Sequence, residues 1–356
     1  MEAGQEGSDR SDATAGGQSG RGPTQRRWGL LIGGAIALGL LFLTAGTIAL
    51  VLIAAPSGSD GGRGGGRAAA PERFDEKYAF GQGIDKIAVL PVVGQIGVET
   101  SVPTGSLTAT PETLRDQLRQ AAEDERVRAV ILEIDSPGGG VVPTDQMHKN
   151  IRDFKEETKK PVVVSMGQTA ASGGYYIATA ADEIVANETT LTGSLGVIFS
   201  YLNLEEAADK LGIEQEVIKS GRFKDIGSST REPTEEELEI LQVYVDEGYD
   251  QFVQVIVEGR NLSEDRVREL ADGRVYSGLQ AESLGLIDEL GDLEKAAGSS
   301  ARLAGLKEAT VVRYQRTPGF IDLLQARLTP PESETLQTLK TAGLSPTPEL
   351  QYLYRP

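Results

Sequence analysis

The chain has 356 residues, enough for one large or two small domains with a real core. It has no cysteine and a single histidine, His148, which excludes a thiol nucleophile, disulfides, cysteine-ligated metal and two-histidine zinc motifs. A formal net charge of −18 argues against nucleic acid as a partner.

Residues 1–27 are rich in Gly, Ser, Gln and Arg without an apolar period, the composition of a disordered N-terminus. Trp28 to Ala55 follows as 28 uncharged residues, more than the roughly 20 a helix needs to span a bilayer. Arg26 and Arg27 place the preceding segment in the cytoplasm, so the expectation is a single-pass cell-membrane protein with everything after Ala55 extracytoplasmic. A cleaved signal peptide is the alternative, but its apolar region is normally about 7–15 residues. Residues 56–75 read as a flexible Gly-rich linker. A folded extracytoplasmic domain is expected over 76–316, and a less periodic, proline-bearing tail over 317–356, with short helices at 321–328 and 334–342.

Within the folded part, apolar runs predict strands at Lys86–Ile96, Val127–Ile134, Pro161–Met166, Glu183–Ala186 and Glu216–Lys219. Helices are expected from Thr110–Pro111 with Leu114, Leu118 and Ala121 inward, and over Thr144–Glu157, Tyr175–Ala181, Leu204–Leu211 and Leu262–Leu270. Thr234 and Glu237 form a capping box that opens a long helix with Leu238, Leu241, Val245, Phe252 and Val255 on one face. Strands alternating with helices argue for an α/β fold with parallel pairing.

The chemistry centres on Ala-Ala-Ser-Gly-Gly-Tyr-Tyr, residues 170–176, between a predicted strand and a predicted helix. Glycine permits a tight turn and close approach of another chain, and a helix start offers free N–H groups to an oxyanion. This is the setting of a nucleophilic serine, Ser172, although a Ser-Gly-Gly turn is more often only a turn. A serine needs a base. His148 is one candidate, expected on a solvated helix face. A lysine amine freed by desolvation is the other, and Lys219 and Lys224 both stand in a suitable segment. Gly138–Gly140, after a strand, offers further N–H groups or is a plain flexible turn. Neither glycine cluster carries the Lys-Ser/Thr ending of a phosphate loop.

Five blocks in order carry a resemblance: Asp-Ser-Pro-Gly-Gly-Gly (135–140), Ala-Ala-Ser-Gly-Gly-Tyr-Tyr-Ile-Ala (170–178), Thr-Gly-Ser-Leu-Gly-Val-Ile (192–198), Ile-Lys-Ser-Gly-Arg-Phe-Lys-Asp-Ile (218–226), and the pair Gly-Arg-Val-Tyr-Ser-Gly with Ala-Glu-Ser-Leu-Gly-Leu-Ile-Asp-Glu-Leu-Gly in 273–291. Over roughly residues 85–300 the chain resembles the signal peptide peptidase A family in its short form. The resemblance implies a Clp-protease/crotonase-like fold of repeated β-β-α units and a serine protease with a Ser–Lys dyad. By position it implies Ser172 as nucleophile, Lys224 as general base, Ser194 orienting the lysine, and Gly139 and Gly173 as oxyanion donors, with no cofactor or metal. It further implies cleaved signal peptides or similar apolar peptides as substrates. Short family members supply serine and lysine from one chain and assemble into membrane-facing homo-oligomeric rings, where a neighbour could complete each half-built cleft. The rival readings are a crotonase-type acyl-CoA enzyme, an endopeptidase cutting a stomatin-type membrane-protein partner, and a non-catalytic membrane scaffold.

Overall fold

The computed structural model describes residues 73–97, 108–316 and 349–354. Residues 28–55, on which the expected transmembrane helix rests, and the expected tail helices at 321–328 and 334–342 lie outside the described residues. Among the described residues no helix is long and apolar enough to cross a membrane.

The strands are β1 (Asp75–Gly81), β2 (Lys86–Val93), β3 (Gln95–Ile96), β4 (Thr108–Ala109), β5 (Val127–Ser136), β6 (Gly138–Gly140), β7 (Val162–Ala171), β8 (Glu183–Ala186), β9 (Leu191–Gly193), β10 (Ile198–Ser200), β11 (Val275–Ser277), β12 (Glu289–Leu290), β13 (Thr310–Gln315) and β14 (Glu349–Leu353). The helices are α1 (Pro111–Glu123), α2 (Val141–Thr158), α3 (Gly173–Ala178), α4 (Glu205–Leu211), α5 (Glu235–Arg260), α6 (Glu264–Leu270), α7 (Gly278–Ser283) and α8 (Leu293–Leu303). A long strand, a short strand and a helix follow one another in β2–β3–α1, with β4 interposed, and again in β5–β6–α2. This is a mixed α/β fold with a parallel-rich sheet.

The main sheet runs β1-β13-β2-β5-β7-β8-β12, with β9 and then β11 added beside β7. From β13 through β12 the pairs are parallel, and β9 is parallel to β7. Parallel strands are covered on both faces, so their apolar residues sort by alternation into two layers. Ala88, Leu90, Val130, Leu132, Val162 and Val164 face one core with Leu114 and Leu118 of α1 and Met147 and Ile151 of α2. Ile87, Val89, Ala129, Ile131 and Val163 face the other, under Ala296 and Ala297 of α8. A second, smaller sheet runs β10-β14-β6-β3-β4, in which β14 is antiparallel to both β10 and β6.

Three expectations are corrected. Gly138–Gly140 is a buried strand rather than a loop, because it pairs with β3 on one side and β14 on the other. Residues 216–219 form no strand: the whole stretch 211–220 is exposed, and no neighbouring strand takes its backbone groups. The helix after Ser172 spans Gly173–Ala178, two residues earlier at its start than the apolar pattern suggests and three shorter at its end.

Helix α5 opens on the predicted capping box. Its buried apolar residues, Phe252, Val253 and Ile256, lie in the C-terminal half, while Leu238, Ile240, Val243 and Tyr244 are exposed. The buried half is fixed by Arg260, whose guanidinium donates to both Asp288 carboxylate oxygens at 2.8 and 2.9 Å. It is also fixed at Gly259, where a β-carbon would overlap the Thr179 carbonyl oxygen at the end of α3. Gly to Ala within an exposed helix gains about 1 kcal/mol. Here overpacking dominates, and Gly259→Ala is expected to lose about 1–3 kcal/mol in urea unfolding. A gain in stability would show that α5 does not press on α3.

Candidate active site

Ser172 sits between the end of β7 and the start of α3 and is 1 % exposed. Its backbone has φ 53° and ψ −116°, a conformation that a residue with a β-carbon adopts only under constraint, at about 1–3 kcal/mol. The constraint is visible. The Ser172 N–H donates to the Gly193 carbonyl at 2.8 Å, and its own carbonyl accepts from the Tyr176 N–H at 2.9 Å. One bond anchors the turn to β9 and the other starts the helix. Ala171 of β7 pairs with Gly193 of β9, so the next residues, Ser172 and Ser194, leave adjacent strand ends together. Ser194 also has positive φ, 50°, and its N–H donates to the Arg274 carbonyl at 2.7 Å.

Across the turn lies β6. The Gly138 N–H donates to Ser136 Oγ at 3.1 Å, and Thr144 Oγ1 donates to the Gly140 carbonyl at 2.7 Å. These two hydroxyls hold the glycine strand at both ends. Gly138 has φ +97°, and a β-carbon there would overlap the Tyr352 carbonyl and lie 2.6 Å from the Gly173 nitrogen. One at Gly173 would come within 2.9 Å of Thr144 Oγ1 and 3.1 Å of the Tyr352 carbonyl oxygen. Glycine is required at both positions because two backbone segments and a third chain segment meet here.

That third segment is β14. Tyr354 N–H donates to the Pro137 carbonyl at 2.8 Å, and Tyr352 stands opposite Gly139. In an antiparallel ladder hydrogen-bonded pairs recur every second residue, so the Gly139 N–H donates to the Tyr352 carbonyl. A peptide carbonyl therefore rests against Gly139, Gly138 and Gly173 beside the start of α3. Donors and dipole at this place suit an oxyanion.

The lysine candidates separate clearly. Lys219 Nζ is paired with Asp225 Oδ1 at 2.6 Å. Arg231 also binds Asp225, through Nε at 3.1 Å, and reaches Glu237 at the start of α5 at 2.5 and 2.8 Å. Arg231 and Lys219 together hold the Asp225 carboxyl well below the usual carboxylate range. Lys224 is exposed in the turn that this cluster anchors. Among the described residues no hydrogen bond or ion pair joins it to Ser172 or Ser194. The chain thus brings Ser172, Gly173, Gly139 and Ser194 together and leaves Lys224 on the surface.

His148 is 6 % exposed, not solvated as its helical neighbours suggested. Its ring meets Tyr176 edge-on, with centroids 5.2 Å apart. Tyr176 in turn packs on Phe252 and Tyr352 and donates from its hydroxyl to Asp145 at 2.8 Å. This aromatic group, with Ser136 and Thr144, was not anticipated. Its members are far apart in sequence, and no local pattern joins them. Among the described residues no cluster of His, Asp and Glu side chains is placed to hold a metal ion.

The model of peptidase family S49 matches residues 154–307. An Enterococcus faecium protein, provisionally named signal peptide peptidase SppA, is 39% identical over 247 residues, covering 67% of this chain and 72% of the relative. Protease 4 of Salmonella typhi is 34% identical over 68% of this chain and 38% of its own length. The chloroplastic serine protease SPPA of Arabidopsis thaliana is 35% identical over 66% of this chain and 35% of its own length. The chain belongs to the S49 signal peptide peptidase A family. It is a serine peptidase. The S49 match takes in Ser172, Ser194 and Lys224, while β6 precedes it and β14 follows it.

Burial holds the His148 imidazole neutral, with Arg152 and Lys155 adding to the effect and Asp145 opposing it, and pulls its pKa down to about 4. The unfolded chain takes up this proton near pH 6.5, so folding stability falls as pH drops from about 6.5 to 4, by up to about 3 kcal/mol. In His148→Gln the acid-side decline in melting temperature over this range should be distinctly shallower than in wild type. Parallel declines would mean that His148 is solvated in the folded chain.

Proposed function

We propose that the chain is a membrane-anchored serine endopeptidase whose catalytic domain works outside the cytoplasm on cleaved signal peptides or similar apolar peptides. The observation that carries the reading is the peptide carbonyl seated against Gly139 and Gly173 beside the Ser172 turn. Ser172 Oγ attacks the scissile carbonyl as neutral Lys224 takes its proton. The N–H groups of Gly139 and Gly173 hold the oxyanion. The lysine returns the proton to the leaving amine, and water then releases the acyl group. Ser194 orients the amine. The uncharged stretch at 28–55 supports a membrane anchor, which would raise the effective concentration of the active site near apolar substrates.

In place of the single-chain supply of serine and lysine that the resemblance implies, the base in this proposal is supplied by a neighbouring copy in a homo-oligomer. Two features support this. Lys224 is exposed and unattached to Ser172 within one chain, while its anchoring cluster fixes the turn that bears it. The same region exposes Leu211, Ile213, Val217 and Ile218, the last fully, a run of apolar side chains that a soluble monomer rarely displays together. Burial against a neighbour would also supply the desolvation that frees a lysine amine.

Ser172→Ala and Lys224→Ala should each reduce peptide hydrolysis by several orders of magnitude, whereas Lys219→Ala should keep most of it. Co-refolding the Ser172→Ala and Lys224→Ala chains should restore a measurable fraction of activity, because some sites then pair an intact serine with an intact lysine. Two inactive chains that stay inactive when mixed would assign the lysine to the serine's own chain. A fully active Lys224→Ala would remove it from the mechanism.

A further inference from the structure

We infer that Arg231 is a positioning residue for the Lys224 base: it occupies the Asp225 carboxylate, ties it to Glu237, and so withholds from the Lys224 amine the carboxylate that follows it in the chain. The inference rests on the reading of Lys224 as general base and adds how that amine stays out of an ion pair in an acidic segment.

A lysine acts as a base only when neutral. A carboxylate within hydrogen-bond distance favours the ammonium and raises its pKa. Lys224 meets that hazard directly, because Asp225 is its neighbour in the chain. Residues 211–237 hold seven carboxylates: Asp225, Glu214, Glu216 and Glu232, with Glu235, Glu236 and Glu237 at the start of α5. They hold only four cations, Lys219, Arg222, Lys224 and Arg231. Acidic partners are therefore in excess, yet the pairing leaves one cation out. Lys219 pairs with Asp225, Arg222 with Glu236, and Arg231 with both Asp225 and Glu237. Among the described residues Lys224 has no ion pair.

Arg231 does most of this sorting. Its Nε donates to Asp225 Oδ2 at 3.1 Å. Nη2 donates to the Asp225 backbone carbonyl at 3.2 Å and to Glu237 Oε1 at 2.5 Å. Nη1 donates to Glu237 Oε2 at 2.8 Å and to the Glu232 carbonyl at 3.0 Å. A planar guanidinium can fork between two carboxylates in this way and stays charged wherever a lysine titrates. Glu237 is itself fixed, since it accepts from the Thr234 N–H at 2.9 Å in the capping box. Lys219 adds a single contact, to the other Asp225 oxygen at 2.6 Å, and so engages both oxygens without a tie to α5. With Arg231 gone, Asp225 and Glu237 face Lys219 alone, and the cluster carries one uncompensated negative charge. A unit charge about 6 Å from an amine near a protein surface moves its pKa by about one unit.

The test follows kcat/KM for an apolar fluorogenic peptide across pH. The proteins are wild type, Arg231→Gln, Asp225→Asn, the double variant of Arg231→Gln with Asp225→Asn, and Lys224→Ala. In Arg231→Gln the midpoint of the acid limb should rise by about one pH unit, so that activity well below it falls about tenfold. The high-pH plateau, where the lysine is neutral in either protein, should fall by less than about threefold. Removing the carboxylate as well, in the double variant, should bring the midpoint back toward wild type. A role confined to holding the turn predicts the reverse: loss at every pH, an unmoved midpoint, and no recovery when a second anchor is removed. Should Arg231→Gln fail to fold, Asp225→Asn alone decides, because it leaves cationic Lys219 and Arg231 in excess and the midpoint should drop below wild type. An unmoved midpoint in Arg231→Gln, a raised one that the double variant does not lower, or one in Asp225→Asn that does not drop would overturn the inference. Wild-type activity in Lys224→Ala would remove the general-base reading, whereas a chain that requires Lys224 and shows none of these shifts refutes the inference alone.

Discussion

The site depends on one constrained residue, the Ser172 backbone held at positive φ. The strand β7 runs buried through the middle of the sheet and must turn into α3 without leaving it. A relaxed backbone at Ser172 would carry its hydroxyl away along the strand. The bond to the Gly193 carbonyl and the first helical bond from Tyr176 oppose that relaxation. The cost of about 1–3 kcal/mol is small beside the burial of β5, β7 and the aromatic group around α3. The sheet thus acts as the rigid support that a strained Ser172 backbone needs, and the glycines on either side let other backbone come within contact distance.

Around this point the chain is divided into a rigid part and an unfinished part. The proposed oxyanion side is built from backbone: Gly139 on a three-residue strand paired on both sides, and Gly173 at a helix start. Backbone donors in a sheet reorganise little when charge develops, which is what transition-state stabilisation requires. The proposed proton-transfer side is different. Lys224 stands on an exposed turn held by Asp225, Arg231 and Glu237, not by the core. The same turn lies next to a run of exposed apolar residues. A base on such a surface acquires the desolvation it needs only when something covers it, so assembly and activity would be linked through one residue.

Much of this was legible in the chain. The buried strands β2, β5, β7 and β8 show as apolar runs because parallel strands are covered on both faces. The capping box at Thr234 and the proline-first helix α1 announce themselves locally. The Ser172 turn is readable because strand, small residues and helix follow each other within ten positions. The misreadings share a cause. Glycines at 138–140 look like a loop until a neighbour on each side makes them a strand, and residues 216–219 look like a strand until no neighbour appears. His148 looks solvated because the helical pattern around it is polar, yet Tyr176 covers it.

The amino-acid sequence by itself determined the parallel α/β framework, the strand-to-helix turn at Ser172, and the absence of thiol chemistry, since these depend on composition and on contacts between residues close in the chain. Only the tertiary structure decided which lysine is tied up in an ion pair, that the glycine cluster faces the serine turn, and that β14 lies in the slot beside it. Strand pairing between residues 138–140 and 351–353 leaves no local periodicity, because the backbone groups that make it are the same in every residue. The aromatic pocket joins positions 148, 176, 252 and 352, which meet only because the sheet carries α2 and α3 to one side and α5 is packed against α3 through Gly259.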